Sequence, residues 1–339
     1  MNLEEIIFDL CSVQGVSGNE TAALDRAREY LEPLAEEAFS DSNGNFFAVL
    51  GSSKADKTIL LDAHLDRIGF IVTGFDDNGF VKIDRVGGVD VRTLQDSVLI
   101  SENGLKGTVC CLPPHLSDGS EDKATPIEKT WVDFGLSADE VKKSLKIGDT
   151  LTFSTRPRRL LGDKITAPAL DDRCGVAAVI RAAELIHTEA YKVVIMLSVQ
   201  EETFGTGAKT GSFGINADEA IAVDVSFASQ PDVSGVYGKI ELGKGPMICV
   251  SSVMDRAMSQ KLIAVAKEND IPYQLEPISG ATGTNGDNIA VSKSGVKTAV
   301  VSVPQRYMHT PVEVISLADV ENTARLIAGY INCGGAFNA

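Results

Sequence analysis

The sequence predicts an α/β protein whose β/α alternation is interrupted by an inserted small β-barrel-like domain. Three observations carry this. The apolar run 193–197 has the pattern of a strand buried on both faces. Further buried-strand runs alternate with helical periodicities on both sides of it, as β/α units do. Between residues 70 and 162 the texture changes to short alternating strands broken by Gly, Asp and Asn turns, the pattern of a small barrel or sandwich. The expected organisation is one domain from 1–69 and 163–339, with 70–162 inserted into one of its loops.

Size and composition agree. A chain of 339 residues suggests roughly two domains. With 44% hydrophobic and 23% charged residues it can bury a large core. A net charge of −16 disfavours nucleic acid and anionic membranes as partners and favours sites that hold cations. Aromatics make up only 6%, with one Trp, which argues against a stacking surface for bases or sugars. No apolar run approaches the ~18 residues of a membrane span, and the acidic start MNLEEIIFDL does not resemble a signal peptide. The six cysteines lack CxxC spacing and read as reduced thiols, so a cytoplasmic protein is expected.

Taken in order, residues 3–13 show helical periodicity. Ser17-Gly-Asn-Glu20 has the form of a capping box and predicts a second helix to about residue 38. A turn at 41–45 leads into a strand at 46–50, and a short buried strand at 58–61 runs into His64-Leu-Asp66-Arg67. In the insert, strands are expected at 69–73, 80–84, 97–100, 107–110 and 149–153, with a helix at 138–145. Residues 113–126, which include His115, read as a mobile loop. The β/α pattern resumes with Asp171-Asp172 ahead of a helix at 176–187 that ends on His187. The 193–197 strand runs on to Glu201-Glu202, and a strand at 219–225 carries Asp224. A strand at 247–251 and a helix at 255–269 capped by Asp255 follow. The Gly-rich run 279–287, a short helix, a strand at 296–303, a loop carrying His309 and a helix at 317–331 complete the chain.

One kind of residue recurs at the ends of the buried strands. His64, Asp66, Glu201, Glu202, Asp224 and His309 each end or follow such a strand, and Asp171 opens a helix. In open α/β sheets, ligands sit outside the carboxyl ends of strands, so a parallel arrangement would bring these groups to one crevice. Adjacent carboxylates repel unless something positive lies between or beside them. Two imidazoles and several carboxylates suit Zn²⁺, Co²⁺ or Mn²⁺, with enough ligands for two ions sharing a carboxylate. A carboxylate that is not a ligand must then take the proton from water, which assigns two jobs to two adjacent glutamates. Asp66, two residues from His64, can orient its imidazole.

The segments HLDRIG (64–69), ALDDRCG (169–175), VQEE (199–202), AVDV (222–225) and RYMHTP (306–311) occur in the order seen in the M42 metallo-aminopeptidases, which the chain resembles over nearly its whole length. The resemblance implies a mixed-sheet α/β/α zinc-peptidase catalytic domain, with the insert serving dimerisation and substrate access. It implies that His64, Asp171, Glu202, Asp224 and His309 hold two divalent metal ions per subunit, Zn²⁺ or Co²⁺. Asp171 would bridge them and join Asp172 through a cis peptide bond. Glu201 would be the general base and Asp66 the carboxylate behind His64. Which ion Glu202 and Asp224 each serve stays open. Dimers assembled into twelve-subunit particles are also implied. Three departures stand out: Arg67 follows Asp66 where an acid is usual, Thr203-Phe204 follows the glutamates, and GTNGD replaces a GTDA-like run.

The expected function is therefore a cytoplasmic di-metal aminopeptidase acting on peptides. Water would be activated by the metals, with Glu201 as base. The acidic balance hints at basic N-terminal residues, whereas the resemblance also covers relatives that prefer acidic ones, so the preferred residue stays open. One rival is a glycoside hydrolase of endoglucanase type using paired carboxylates, which needs no imidazole ligands. The other is an inactive scaffold subunit of a peptidase particle, against which the full ligand set argues.

Overall fold

The computed structural model describes residues 2–52, 54–111, 114–116, 124–231 and 238–338. Most of the expected 113–126 loop lies outside them; His115 is exposed in a single 3-10 turn.

Helix α1 (Leu3–Ser12) buries Ile6, Ile7 and Leu10 along one stripe and is capped by Asn2, which accepts from the Glu4 N–H. Helix α2 (Thr21–Leu31) is shorter than the sequence pattern suggests. A 3-10 turn containing Pro33 follows it, and the chain then extends into strand β1 (Glu37–Ser40); proline excludes itself from a helix interior. The expected capping box does not form. The Glu20 carboxylate instead accepts from the N–H groups of Gly18 and Gln200, and the Ser17 and Thr203 hydroxyls bond to each other. These side chains tie the start of α2 to the loop that carries Glu201.

Strands β2 (Phe46–Gly51) and β3 (Thr58–His64) belong to the main sheet. The next six close a barrel: β4 (Gly69–Phe75), β5 (Val81–Val86), β6 (Val98–Ser101), β7 (Lys106–Val109), β8 (Trp131–Asp133) and, after helix α3 (Ala138–Ser144), β9 (Thr150–Phe153). The sequence pattern missed β8, whose three residues are too few to show alternation. The barrel has its own apolar core, including Phe70, Val81, Ile83, Leu99, Val132 and Leu151. Phe70 meets Phe153 edge-to-face at 5.4 Å and is fully buried. Phe70→Ala should therefore cost about 3–5 kcal/mol, read as a lowered denaturant midpoint of the barrel's transition. A change below about 1 kcal/mol would mean that the barrel core is not this tightly packed.

After the barrel come β10 (Arg158–Arg159), β11 (Lys164–Ala167), α4 (Leu170–Leu185), β12 (Lys192–Ser198), α5 (Glu201–Phe204), α6 (Thr206–Gly214) and β13 (Glu219–Phe227). Then follow β14 (Met247–Ser251), α7 (Arg256–Glu268), β15 (Gln274–Ile278), α8 (Asn285–Ala290), β16 (Lys297–Gln305), β17 (Glu313–Ser316) and α9 (Leu317–Asn332). The main sheet has eight strands in the order β1-β2-β12-β3-β13-β16-β14-β15. Its four central strands are parallel, while β2 against β12 and β14 against β16 are antiparallel, so the sheet is mixed. Helices α1, α2, α4, α7 and α9 bury one face, and α6 and α8 the other. A separate three-stranded sheet, β10-β11-β17, was not legible as strands. Among the described residues, no helix is long and apolar enough to cross a membrane.

Candidate metal centre

Parallel pairing positions the first candidate ligands. His64 ends β3 opposite Ser198 of β12. Ala222 of β13 pairs with Asp62, so Asp224, two residues on, comes level with His64 at the carboxyl end of the sheet. Glu201 and Glu202 leave β12 in the first turn of α5. That turn's free N–H groups go to Asp66: Glu201 N–H donates to Oδ1 at 3.0 Å and Glu202 N–H to Oδ2 at 3.1 Å. One buried carboxylate thus fixes both glutamates. The same Asp66 faces His64 Nδ1, with its carbonyl oxygen at 3.2 Å and Oδ1 at 3.4 Å. That contact turns Nε2 inward.

Asp171 enters at the kinked start of α4 and is joined to Asp172 by a cis peptide bond. Its Oδ1 lies 3.1 Å from His64 Nε2 and its Oδ2 lies 3.2 Å from His309 Nε2. Asp224 Oδ1 is 3.8 Å from His64 Nε2, and Glu202 Oε2 is 3.3 Å from His309 Nε2. Two groups result, His64/Asp171/Asp224 and Asp171/Glu202/His309, each with donor atoms within 4.8 Å of one another. The geometry thereby pairs Asp224 with His64 and Glu202 with His309, which the sequence left open. His187 takes no part; it is exposed, with Nδ1 2.9 Å from the Leu185 carbonyl.

The buried carboxylates of this centre crowd against one another. Burial pushes Glu202 and Asp224 well above the usual carboxylate range, and the Asp171 charge adds to both. Asp171 is itself held low: burial opposes its charge, but hydrogen bonds to His309 and His64 outweigh it. Burial also opposes a charged imidazole, yet carboxylate neighbours hold His64 well above its ordinary value and His309 at about 10. Asp172 is fully buried and, among the described residues, neither carboxylate oxygen has a hydrogen-bond partner. Among the described residues, no Lys or Arg forms a salt bridge with Asp171, Glu202 or Asp224. Oxygen and imidazole donors in two sets sharing one carboxylate fit a pair of divalent cations. Glu201 belongs to neither set. Burial lifts it to about 7 against the pull of His64, and it lines a cavity of about 230 Å³ together with members of both sets.

The backbone around these residues is unusual. Among the described residues, seven non-glycine residues have left-handed φ, and four of them are Ala169, Gln200, Tyr307 and His309, each at or within two residues of a candidate ligand. Such conformations concentrate at functional sites.

Two supporting residues escaped the sequence reading. Glu313, buried in β17, accepts from the N–H groups of Asp171 (3.2 Å) and His309 (3.0 Å). An acid inside an apolar run four residues after His309 was the available signal. Gly88, from the barrel, presents its carbonyl 3.2 Å from His309 Nδ1. A Cβ there would sit 2.6 Å from that nitrogen. Nothing in the sequence links residue 88 to residue 309.

A family model described as M42 glutamyl aminopeptidase matches residues 44–326. The chain belongs to the M42 family. Lysyl aminopeptidase from Pyrococcus furiosus is 36% identical over 332 residues, covering 95% of this chain and 94% of that protein. Aminopeptidase APDkam598 from the archaeon Desulfurococcus kamchatkensis superposes with a TM-score of 0.92 at 32% identity, covering 99% and 96% of the two chains. The TET1 peptidase of Pyrococcus horikoshii, which can assemble into a tetrahedron or a large octahedral shell, superposes with a TM-score of 0.85 at 30% identity, covering 97% and 98%. As an M42 protein the chain is a hydrolase of aminopeptidase type, on the mixed-sheet and barrel architecture that the motifs implied.

Proposed function

We propose that this M42 protein is a cytoplasmic di-metal aminopeptidase that removes N-terminal residues from peptides. The observation that carries this is the pair of three-residue donor sets sharing Asp171 beside an uncommitted Glu201. His64, Asp171 and Asp224 would hold one cation and Asp171, Glu202 and His309 the other, with Zn²⁺ or Co²⁺ matching the donors. Bound there, the ions would polarise a scissile carbonyl and acidify water. Glu201 takes the proton of the attacking water and returns it to the leaving amine. Asp66 keeps Glu201 in place through the backbone of α5. The acidic wall of the cavity attracts a free α-ammonium group, which restricts cleavage to peptide N-termini. Chelation should abolish hydrolysis of aminoacyl chromogenic substrates, and Zn²⁺ or Co²⁺ should restore it. Chelator-insensitive cleavage of a β-glucan would instead support a glycoside hydrolase, and protein that takes up no metal would support an inactive scaffold.

The substrate preference we propose rests on Glu276. It lines the same cavity as the donor sets, nearly fully buried, held by the hydroxyls of Ser226 and Ser302. Burial raises its pKa, against the pull of those two hydroxyls, so an incoming cation would be a favourable partner. N-terminal Lys or Arg is therefore preferred, in keeping with the lysyl aminopeptidase relative. Glu276→Gln should lower kcat/KM for Lys substrates about 10–100-fold relative to Leu substrates. An unchanged Lys/Leu ratio would refute this role.

We further propose a homo-oligomer built from dimers, with the barrel providing contacts and substrate access, as suggested by the assemblies of the TET1 relative. A monomer in solution would refute it. The six free cysteines support the cytoplasmic location.

A further inference from the structure

A second cavity of about 340 Å³ lies in the seam between the α/β domain and the barrel. Its wall is formed by the end of α1 and the turn after it, by Arg67, and by β6, β7, β9 and the linker after β9. In a chain of net charge −16, no acidic residue lines it among the described residues, whereas Arg67, Lys106 and Arg156 do. Arg67 is only 4% exposed, and among the described residues its Nε has no hydrogen-bond partner. Glu313 and Glu202 act on it through their field without forming a salt bridge among the described residues. The neighbouring buried Arg173 is different: its N–H groups are committed to four backbone carbonyls. Arg173 adds positive charge with four hydrogen bonds already made to carbonyls, while Arg67 has donors to offer.

A buried guanidinium whose Nε is left unpaired carries an uncompensated desolvation cost. Its planar fork matches the oxygens of a phosphate or carboxylate. Ser154 and Thr155 place hydroxyls on the same wall, and the volume is at the lower end of small-molecule sites. We propose that this cavity binds a phosphate group, free or carried on a small metabolite, with Arg67 inside and Lys106 and Arg156 at the exposed rim.

The test is calorimetric titration of the metal-loaded, full-length protein with inorganic phosphate at constant ionic strength. A saturable site is expected whose Kd rises about tenfold or more in Lys106→Ala and in Arg156→Ala, since each removes a charge-assisted contact. Both side chains are exposed, so folding is not at issue. Arg67→Met should remove the site, with its thermal midpoint showing whether it still folds. Phosphate held by the metal centre would appear separately, as inhibition competitive with peptide that the Lys106 and Arg156 variants leave unchanged. A parallel titration with glycerol 3-phosphate separates the two sources. Tighter binding than inorganic phosphate points to a phosphomonoester, and equal binding points to free phosphate. No saturable uptake, or uptake that none of the three substitutions weakens, would overturn the proposal.

Discussion

Glu201→Gln is expected to keep two metal ions per subunit while losing turnover by about 10²–10⁴-fold, the usual contribution of a positioned general base. The two properties separate because Glu201 is in neither donor set, although it adjoins Glu202 in the chain. The amide preserves the side chain's shape, and the N–H that anchors Glu201 to Asp66 belongs to the backbone. What disappears is the ability to accept a proton. Because the effect lies in the chemical step, kcat should fall and KM should change little. Turnover within tenfold of the unmodified enzyme would remove Glu201 from the mechanism. Loss of metal in this variant would instead make it a ligand.

Asp171→Ala should empty the site. Its two oxygens face the two imidazoles separately, at 3.1 and 3.2 Å, so each donor set drops from three residues to two. Metal content after dialysis should fall from two ions to less than one per subunit, and activity should fall with it. His309→Ala is the control. It removes a ligand from one set only, and the set of His64, Asp171 and Asp224 should retain its ion. Two ions retained by Asp171→Ala would show that the bridging assignment is incorrect.

The legible part of this protein is the part written in local pattern. Buried strands announced themselves as apolar runs, and the ligand-type residues stood at their ends. The barrel was readable as a change of texture, though β8, three residues long, was not. The capping box at Ser17–Glu20 failed for a different reason. Its pattern was correct, but the Glu20 carboxylate has a tertiary partner, the Gln200 N–H, in addition to the Gly18 N–H. Long-range contacts outcompeted a local motif.

By itself, the sequence determined the residue types of the centre, their order along the chain and the kind of sheet that would gather them. Those properties follow from hydrophobic periodicity and from the chemistry of His, Asp and Glu, both local. Only the tertiary structure decided how these donor side chains group. Strand register sets Asp224 level with His64, and the turn into α5 carries Glu202 across to His309. It also showed Asp66 holding both glutamates, Glu313 and Gly88 supporting His309, and a buried Arg67 in the seam beside the barrel whose Nε has no hydrogen-bond partner among the described residues. Each depends on side chains brought together from distant parts of the chain, and no spacing in one dimension encodes those meetings.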